Sequence, residues 1–273
     1  MHPGADAERV AELAHRALID ELETWPKPGL VSPVDSGSHA DMDAGTLRLS
    51  AAAIRPAFAQ LFEAGAACAP MAALRPIGLR AEAAMLAATG GVNAHRGAIF
   101  SLGLICAGAG ASGQGRASAR AEAVGRLWGS EIARAPTSLT SHGGRAARLH
   151  GVGGAGVEAA EGFPTVRAVG LSALRRGRTL AQGDAQAANV QCLFALMAVL
   201  DDTNLLHRGG AEGLAFAQGA AATFLDAGGV GAPGWRDRAV AIHRAFVAAR
   251  LSPGGSADLL AATLLLDALG EAE

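Results

Sequence analysis

The stretch VAELAHRALIDEL, residues 10–22, carries its apolar side chains on one face of a predicted helix. The apolar positions recur every three or four residues, which is the period of an amphipathic α-helix. They are Val10, Leu13, Ala14, Ala17, Leu18 and Leu22. Seven further stretches share this rhythm, and alanine, the strongest helix former, dominates them. They are Thr46–Ala66, Pro76–Ala88, Ala94–Ala109, Ala187–Leu200, Gly213–Ala227, Arg236–Arg250 and Ala257–Leu269.

The composition agrees with helices rather than strands. Tyrosine is absent and aromatic residues make up 4% of the chain, so alternating β-branched and aromatic runs are missing. No repeat or internal boundary divides the 273 residues. The sequence therefore predicts one all-α, bundle-like domain over residues 1–273. Two small, basic segments, Gly110–Arg120 and Leu174–Gly183, are predicted to be solvated loops.

The charge balance and the cysteines limit the classes of protein to which the chain can belong. A net charge of −2 argues against nucleic-acid binding and against a polybasic membrane anchor. The three scattered cysteines form no CxxC pair, which favours a reducing compartment. The chain starts without an apolar stretch, and its longest apolar runs are too short to cross a bilayer. We expect a soluble cytoplasmic protein. The sequence does not fix the oligomeric state, and a homodimer is one alternative.

The first polar segment is WPKPGLVSPVDSGSHADMD, residues 25–43, whose prolines and glycines predict an ordered loop. Lys27 is the only lysine of the chain, and its compact ammonium suits phosphate binding as a point charge. Near His39, the carboxylates of Asp41 and Asp43 are hard ligands of the kind that Mg²⁺ prefers. Asp43 is equally well placed to cap the helix that follows.

The second polar segment is TGGVNAHRGAIF, residues 89–100. Its glycine pair ends one helix, and a residue near Asn93 starts the next, so that His95 and Arg96 occupy the first turn. Unpaired backbone N–H groups beside an arginine favour a bound phosphate there. Glu82 lies on the preceding helix, where a lone glutamate is usually solvated.

Two further polar segments lie in the second half of the chain. HGGRAARLHGVGGAGVEAAEGFP, residues 142–164, has glycines that let the backbone approach a ligand and ends near Glu158, but it lacks a P-loop motif. DDTNLLHRGG, residues 201–210, follows an apolar helix. If that helix continues, the segment places a polar set at the end of a buried helix; a helix end at Gly209-Gly210 is the alternative. The polar set is Asp202, Asn204, His207 and Arg208.

The fifth segment is LSPGGSADLL, residues 251–260. Pro253 and the glycine pair predict a tight turn, and Ser256 is expected to cap a helix that contains Asp258. These glycine-rich segments are the predicted active-site loops.

Taken together, the five segments resemble the ATP:dephospho-CoA triphosphoribosyltransferase family. The resemblance runs in order from Pro26 to Leu265, and it favours the branch that serves malonate decarboxylase over the citrate lyase branch. It is carried by PKPGLV, SGSHADMD, AExxMLxATGGVNxHRGAIFSLG, DTNLLHRGG and LSPGGSADLL. Two departures stand out: Ala94 replaces a usual threonine, and Gly156-Val157 replace a usual arginine and glycine.

The resemblance implies an all-helical, Mg²⁺-dependent enzyme with ATP and dephospho-CoA as substrates. It would join triphosphoribose to the 2′-hydroxyl of dephospho-CoA and release adenine. The product would pass to a transferase that attaches it to an acyl carrier protein.

Under that resemblance the polar residues take expected roles. The catalytic candidates are Glu82, His95, Glu158 and Asp202. The Mg²⁺ candidates are Asp41, Asp43 and Asp202. Lys27, Arg96 and Arg208 are expected to clamp the triphosphate, and His207, Asn93, Asn204 and Ser256 to contact the substrates. The competing class is a Mg²⁺-dependent nucleotide or ADP-ribosyl glycohydrolase-like hydrolase; a helical scaffold without activity ranks third.

Overall fold

The computed structural model describes residues 3–113, 116–135 and 142–270. These residues form twelve α-helices and no strand, which confirms the predicted all-α class. The helices are α1 (Pro3–Glu23), α2 (Ala44–Ala66), α3 (Met71–Ala88), α4 (Arg96–Ser112), α5 (Ala117–Arg134), α6 (His142–His150), α7 (Gly154–Ala160), α8 (Leu171–Leu180), α9 (Ala185–Val199), α10 (Thr203–Asp226), α11 (Trp235–Ala248) and α12 (Gly254–Gly270). A π-helical turn, Val166–Gly170, precedes α8, and a 3₁₀ turn, Gly229–Gly231, precedes α11.

The centre of the fold is built from helices that are apolar on nearly every side. Most side chains of α4, α9 and α12 are buried, whereas α1 buries the single face that its spacing predicts. Such helices must be enclosed by others to remove their apolar surface from water. Within the described part of the chain, no single helix is both long and apolar enough to cross a membrane; α4 and α5 meet those limits only as a pair, bent by 98°.

Small residues allow the central helices to approach closely. At Gly65 of α2, a Cβ atom would stand 1.9 Å from the carbonyl oxygen of Ala107 on α4. About one turn further along α4, a Cβ at Gly110 would stand 2.0 Å from the carbonyl oxygen of Phe62 on α2. Both distances are shorter than any van der Waals contact, so the α2–α4 packing requires glycine at these positions.

Three segments that the sequence predicts as loops are partly helical. Leu174–Gly183 lies mostly in α8, α6 and α7 occupy much of residues 142–164, and Gly110–Arg120 contains the end of α4 and the start of α5. The loop prediction was wrong in α8 because its apolar residues are few. Leu171, Leu174 and Gly177 nevertheless form a buried face under the exposed arginines. Residues 114 and 115 lie outside the described part.

The helix boundaries near the polar segments follow side-chain caps. The carboxylate of Asp43 accepts a hydrogen bond of 2.8 Å from the backbone N–H of Thr46, so the predicted cap of α2 is present. Helix α9 ends at Val199, and Asp202 caps the separate helix α10. The continuous helix considered from the sequence is therefore wrong. The backbone of α10 is broken at Gly210, where φ is 63°.

Candidate active site

A pocket lies where the polar ends of several helices meet. Residues from the first turns of α4, α10 and α12 line it, together with the end of α1 and the loop between α1 and α2. About 170 Å³ of it is open to water-sized molecules. Four of the five polar segments contribute: the lining includes His39, Asn93, His95, Arg96, Asn204, Arg208, Ser252 and Asp258.

The loop between α1 and α2 is anchored from the far end of the chain. The ring Nδ1 of His243 lies 2.7 Å from the carbonyl oxygen of Lys27, and its Nε2 lies 3.1 Å from the carboxylate of Asp35. The hydroxyl of Ser38 donates a 2.6 Å hydrogen bond to the carbonyl of Leu251. These bonds fix the loop against α11 and the turn before α12. His243 sits in an amphipathic helix without a motif around it, so no local signal marks it.

Lys27 is buried against a carboxylate and does not line the pocket. Its ammonium group is fully buried and donates 2.7 Å hydrogen bonds to the carbonyl oxygen and the carboxylate of Glu21. Burial lowers the pKa of Lys27, and the charge of Glu21 opposes that shift. Lys27 is not among the pocket-lining residues, but Glu21 is. The structure therefore does not bring Lys27 together with Arg96 and Arg208, and Lys27 neutralises a carboxylate of the pocket instead.

Arg96 stands at the start of α4 beside the pocket. Its Nε donates a 2.9 Å hydrogen bond to the carboxylate of Glu82, which holds the guanidinium in place. The side chain of Asn93 accepts a 3.3 Å hydrogen bond from the backbone N–H of Arg96. Glu82 does not line the pocket, so it acts on the pocket through Arg96.

Arg208 is held at the pocket by backbone carbonyls. Its guanidinium donates to the carbonyl oxygens of Ser38 and Arg250, at 3.1 and 3.2 Å. It also lies 3.3 Å from Nδ1 of His39, whose Nε2 lies 2.9 Å from the hydroxyl of Ser252. Burial, and then the charge of Arg208, lowers the pKa of His39. None of these contacts neutralises the charge of Arg208, so it remains available to an anion.

His95 is buried at the wall of the pocket. Its Nδ1 lies 2.7 Å from the hydroxyl of Ser50. Burial, followed by the nearby charge of Lys27, lowers its pKa to about 4. The ring is therefore neutral at pH 7, and it meets a substrate as a neutral hydrogen-bonding group rather than as a cation.

Asp202 joins the starts of two helices. One carboxylate oxygen accepts from the backbone N–H groups of Asn204 and Leu205, and the other accepts from the N–H and hydroxyl of Ser256. Asp202 and Ser256 are both buried and lie behind the pocket wall. Burial raises the pKa of Asp202, and these hydrogen bonds oppose the shift.

The three aspartates predicted to bind Mg²⁺ do not form one cluster. Asp43 is exposed and caps α2, Asp41 is exposed 3.6 Å from Nδ1 of His39, and Asp202 accepts four hydrogen bonds. In the described ranges, no group of three or more His, Cys, Asp or Glu side chains is placed to hold a metal ion. A metal bound at Asp202 would have to displace one of its hydrogen bonds, so the residues present do not make a protein-only magnesium cage.

Glu158 and His207 lie outside the pocket lining. The carboxylate of Glu158 accepts from the N–H and hydroxyl of Thr165, at 2.9 and 2.8 Å, and so fixes the turn before α8. Burial raises the pKa of Glu158. His207 is exposed on α10. The departure at Gly156-Val157 also lies away from the pocket lining, whereas the departure at Ala94 is in it.

Two carboxylates of the pocket are not among the site residues predicted from the sequence. Among the described residues, Glu21 and Asp258 are the acidic side chains that line the pocket. Glu21 lies at the end of a regular amphipathic helix, where nothing distinguishes it from a solvated residue. Asp258 follows the expected cap Ser256 by two residues and stands near the start of a largely apolar helix, which is a usable signal.

The pocket thus has two electrostatic parts. Arg96, Arg208 and the first turns of three helices favour an anion such as a phosphate chain. Glu21 and Asp258 favour a proton donor or a developing positive charge. The pocket can therefore hold an anionic group next to a group that develops positive charge.

The comparisons with known proteins point to one family. The sequence model of the ATP:dephospho-CoA triphosphoribosyl transferase family (CitG) matches residues 7–273. A relative from Stutzerimonas stutzeri is 44% identical over 272 residues, which cover 96% of this chain and 92% of the relative. Relatives from Pseudomonas fluorescens and Azotobacter vinelandii are 44% and 43% identical and also cover 96% of this chain, with 91% and 92% of their own lengths matched. All three carry the name "Probable 2-(5''-triphosphoribosyl)-3'-dephosphocoenzyme-A synthase". No solved structure matches the chain.

Proposed function

This chain belongs to the ATP:dephospho-CoA triphosphoribosyl transferase family, and from that premise we propose that it transfers the 5-triphosphoribosyl group of ATP to the 2′-hydroxyl of 3′-dephospho-CoA. In this reaction the bond between C1′ of the ATP ribose and adenine breaks. A bond from C1′ to the acceptor oxygen forms, the hydroxyl loses its proton, and adenine leaves with a proton. The supporting observation is the pocket in which Arg96 and Arg208 face the same space as Glu21 and Asp258.

The phosphate end of ATP is proposed to bind at Arg96, Arg208 and the first turns of α4, α10 and α12. The protein as a whole carries a net charge of −2, so its overall field offers no attraction to a triphosphate. Local donors must supply the binding energy, and charge-assisted hydrogen bonds to phosphate are the strongest that side chains can make. Asn93 and Asn204 border the same space and offer neutral contacts.

The reacting ribose carbon is proposed to lie toward Glu21 and Asp258. Departure of adenine leaves positive charge on the ribose ring, as in glycoside cleavage, and nearby carboxylates stabilise it. His95, neutral at pH 7, is proposed to hydrogen-bond a substrate group next to this carbon. Asp202 and Ser256 hold the start of α12, and so position Asp258, rather than contact the substrates.

The size of the pocket limits what it can enclose. Pockets for drug-sized ligands have volumes of roughly 300–1,000 Å³, whereas about 170 Å³ is open here. We propose that the pocket encloses the reacting centre and part of the triphosphate, while the remaining parts of both substrates lie along its mouth. Enclosing the reacting carbon limits access of water, which would otherwise hydrolyse ATP at that carbon.

Magnesium is proposed to arrive with ATP. Mg²⁺ is commonly held by one or two carboxylates together with substrate phosphates and several waters. Asp41 is the carboxylate best placed for this role, because it is exposed beside His39, a lining residue, and its charge also acts on Arg208. An Asp41→Asn variant is expected to need more Mg²⁺ for half-maximal ATP binding, measured by calorimetry across a magnesium titration.

Release of adenine that depends on the acceptor tests the proposed reaction. The protein is incubated with ATP and MgCl₂, with and without dephospho-CoA, and adenine is measured by liquid chromatography. Transfer predicts adenine release that rises with dephospho-CoA and stops when it is consumed. A glycohydrolase would release adenine equally well without the acceptor, and that result would reject the transferase proposal.

The product is proposed to supply the prosthetic group of a malonate decarboxylase acyl carrier protein. The resemblance to the malonate decarboxylase branch supports this destination over citrate lyase. The purified product should be attached to the malonate decarboxylase carrier protein by its prosthetic-group transferase. Attachment only to the citrate lyase carrier protein would assign the other branch.

A further inference from the structure

The carboxylates expected to act as the base are already engaged by other groups. Glu82 binds Arg96, Asp202 accepts four hydrogen bonds, and Glu158 binds Thr165 away from the pocket. At the pocket, one carboxylate oxygen of Glu21 accepts from Lys27. A group that takes a proton from a substrate hydroxyl must reach that hydroxyl with an unoccupied carboxylate oxygen. Glu82 and Glu158 do not line the pocket, and both carboxylate oxygens of Asp202 are occupied. Glu21 does line the pocket, but Lys27 holds it in a buried ion pair.

Asp258 differs from them in its surroundings. It lies in the second turn of α12, lines the pocket, and accepts no hydrogen bond within the described residues. Burial raises the pKa of Asp258 well above its usual range, and the charges of Asp202 and Glu21 raise it further. A carboxylate with such an increased proton affinity is a stronger base than an ordinary aspartate.

Glycine at position 97 makes room for this carboxylate. A Cβ atom at Gly97, in the first turn of α4, would lie 1.9 Å from one carboxylate oxygen of Asp258. The first turn of α4 and the second turn of α12 therefore meet at the Asp258 side chain. Arg96, which is proposed to bind phosphate, directly precedes Gly97 in the chain.

We propose that Asp258 is the general base, which takes the proton of the attacking 2′-hydroxyl of dephospho-CoA as its oxygen bonds to C1′ of ATP. The proton moves from the hydroxyl to the carboxylate of Asp258. Adenine leaves with the electron pair of the breaking bond to C1′ and takes up one proton from solvent. The proton then passes from Asp258 to solvent when the products depart. This assignment rests on the proposed transferase function and names the residue that acts in its bond-forming step.

The test replaces Asp258 by asparagine, which keeps the shape and removes the charge. Loss of a general base lowers rates by roughly 10²–10⁴-fold, so Asp258→Asn is expected to slow transfer by that factor. Calorimetric affinity for ATP with MgCl₂, without dephospho-CoA, should change less than about threefold, because the proposed phosphate contacts remain. The Tm should rise, since the variant removes a charge that Asp202 and Glu21 repel.

Asp267→Asn is the matched control, because it makes the same chemical change further along α12, where Asp267 pairs with Arg178 outside the pocket. That variant is expected to keep the wild-type transfer rate. Transfer by Asp258→Asn within about threefold of wild type would overturn the proposal. So would a tenfold loss of Mg²⁺-dependent ATP affinity, which would make Asp258 a metal or phosphate residue, and so would a lower Tm or a failure to fold. If the wild-type protein makes no product, the proposed function fails instead.

Discussion

The buried, neutral His95 predicts a specific pH dependence of stability. An unfolded histidine has a pKa of 6.5, whereas burial lowers that of His95 to about 4 in the folded protein. Between these values the unfolded chain binds a proton that the folded chain does not, so the free energy of unfolding rises with pH. Stability from His95 is therefore full above pH 6.5 and is lost as the pH falls toward 4.

The size of the effect follows from the two pKa values. A difference of about 2.5 pH units corresponds to about 3 kcal/mol when it is fully expressed. Lowering the pH from about 8 to about 5 realises about 2 kcal/mol of this, because the folded protein stays mostly unprotonated at His95 down to pH 5. A His95→Gln variant lacks this titration, so it should lose about 2 kcal/mol less than the wild type over the same interval.

The measurement is urea unfolding of both proteins at pH 8 and pH 5. Ser50→Ala is the control, because it removes the hydrogen bond to His95 but leaves the burial that causes the pKa shift. Its stability should be lower at both pH values, by about 1–3 kcal/mol for an unpaired buried group, while its pH dependence stays steep. Equal losses for the wild type and His95→Gln would refute a buried neutral histidine.

Three further predictions concern other contacts. Lys27→Met leaves the Glu21 carboxylate buried without its cation and should cost about 3–5 kcal/mol in urea unfolding; a loss below about 1 kcal/mol would contradict the buried pair. Arg208→Ala should weaken ATP binding roughly 10- to 100-fold, measured by calorimetry. The control is Arg244→Ala, at an exposed position of α11, which should leave the affinity unchanged. Equal effects of the two variants would contradict a role of Arg208 in binding phosphate. Gly65→Ala should lower stability by about 1–3 kcal/mol because α2 and α4 must separate. Its control is Gly78→Ala, which has no atom within 4 Å of the added Cβ and should stabilise α3 by about 0.5–1 kcal/mol. A Gly65→Ala protein as stable as the wild type would contradict the close packing.

Local patterns predicted the long helices and the Asp43 cap. The expected cap at Ser256 was wrong, because α12 begins two residues earlier, at Gly254, and the N–H and hydroxyl of Ser256 bond to the carboxylate of Asp202. The spacing in residues 10–22 identified α1, and Asp43 caps α2 as the sequence suggested. Helices α6 to α8 were predicted as loops because a short helix rich in glycine or arginine has too few apolar residues for its period to be visible. Their helical form depends on packing against α10, α5 and α9, which no local pattern shows.

The sequence located the pocket better than it assigned side chains within it. Asn93 and Arg96 stand at a predicted helix start, and Asn204 and Arg208 belong to the polar set that follows an apolar helix; all four line the pocket. Whether a polar side chain is free to bind a substrate depends on tertiary contacts with residues that are distant in the sequence. Lys27 is bound by Glu21 and supported by His243, 216 residues away in the chain.

Carboxylates show the same limit. Glu158 lies in a glycine-rich segment and Asp202 in a polar one, yet backbone N–H groups occupy both carboxylates.

Following the ribose carbons of ATP tests the proposed reaction most directly. The protein is incubated with ATP labelled with ¹³C at all ribose carbons, unlabelled dephospho-CoA and MgCl₂, and the products are analysed by mass spectrometry. The transferase reaction predicts a dephospho-CoA adduct that carries the labelled ribose and three phosphates, together with unlabelled adenine in equal amount. Labelled ribose triphosphate with unchanged dephospho-CoA would show hydrolysis instead and would contradict the proposed function.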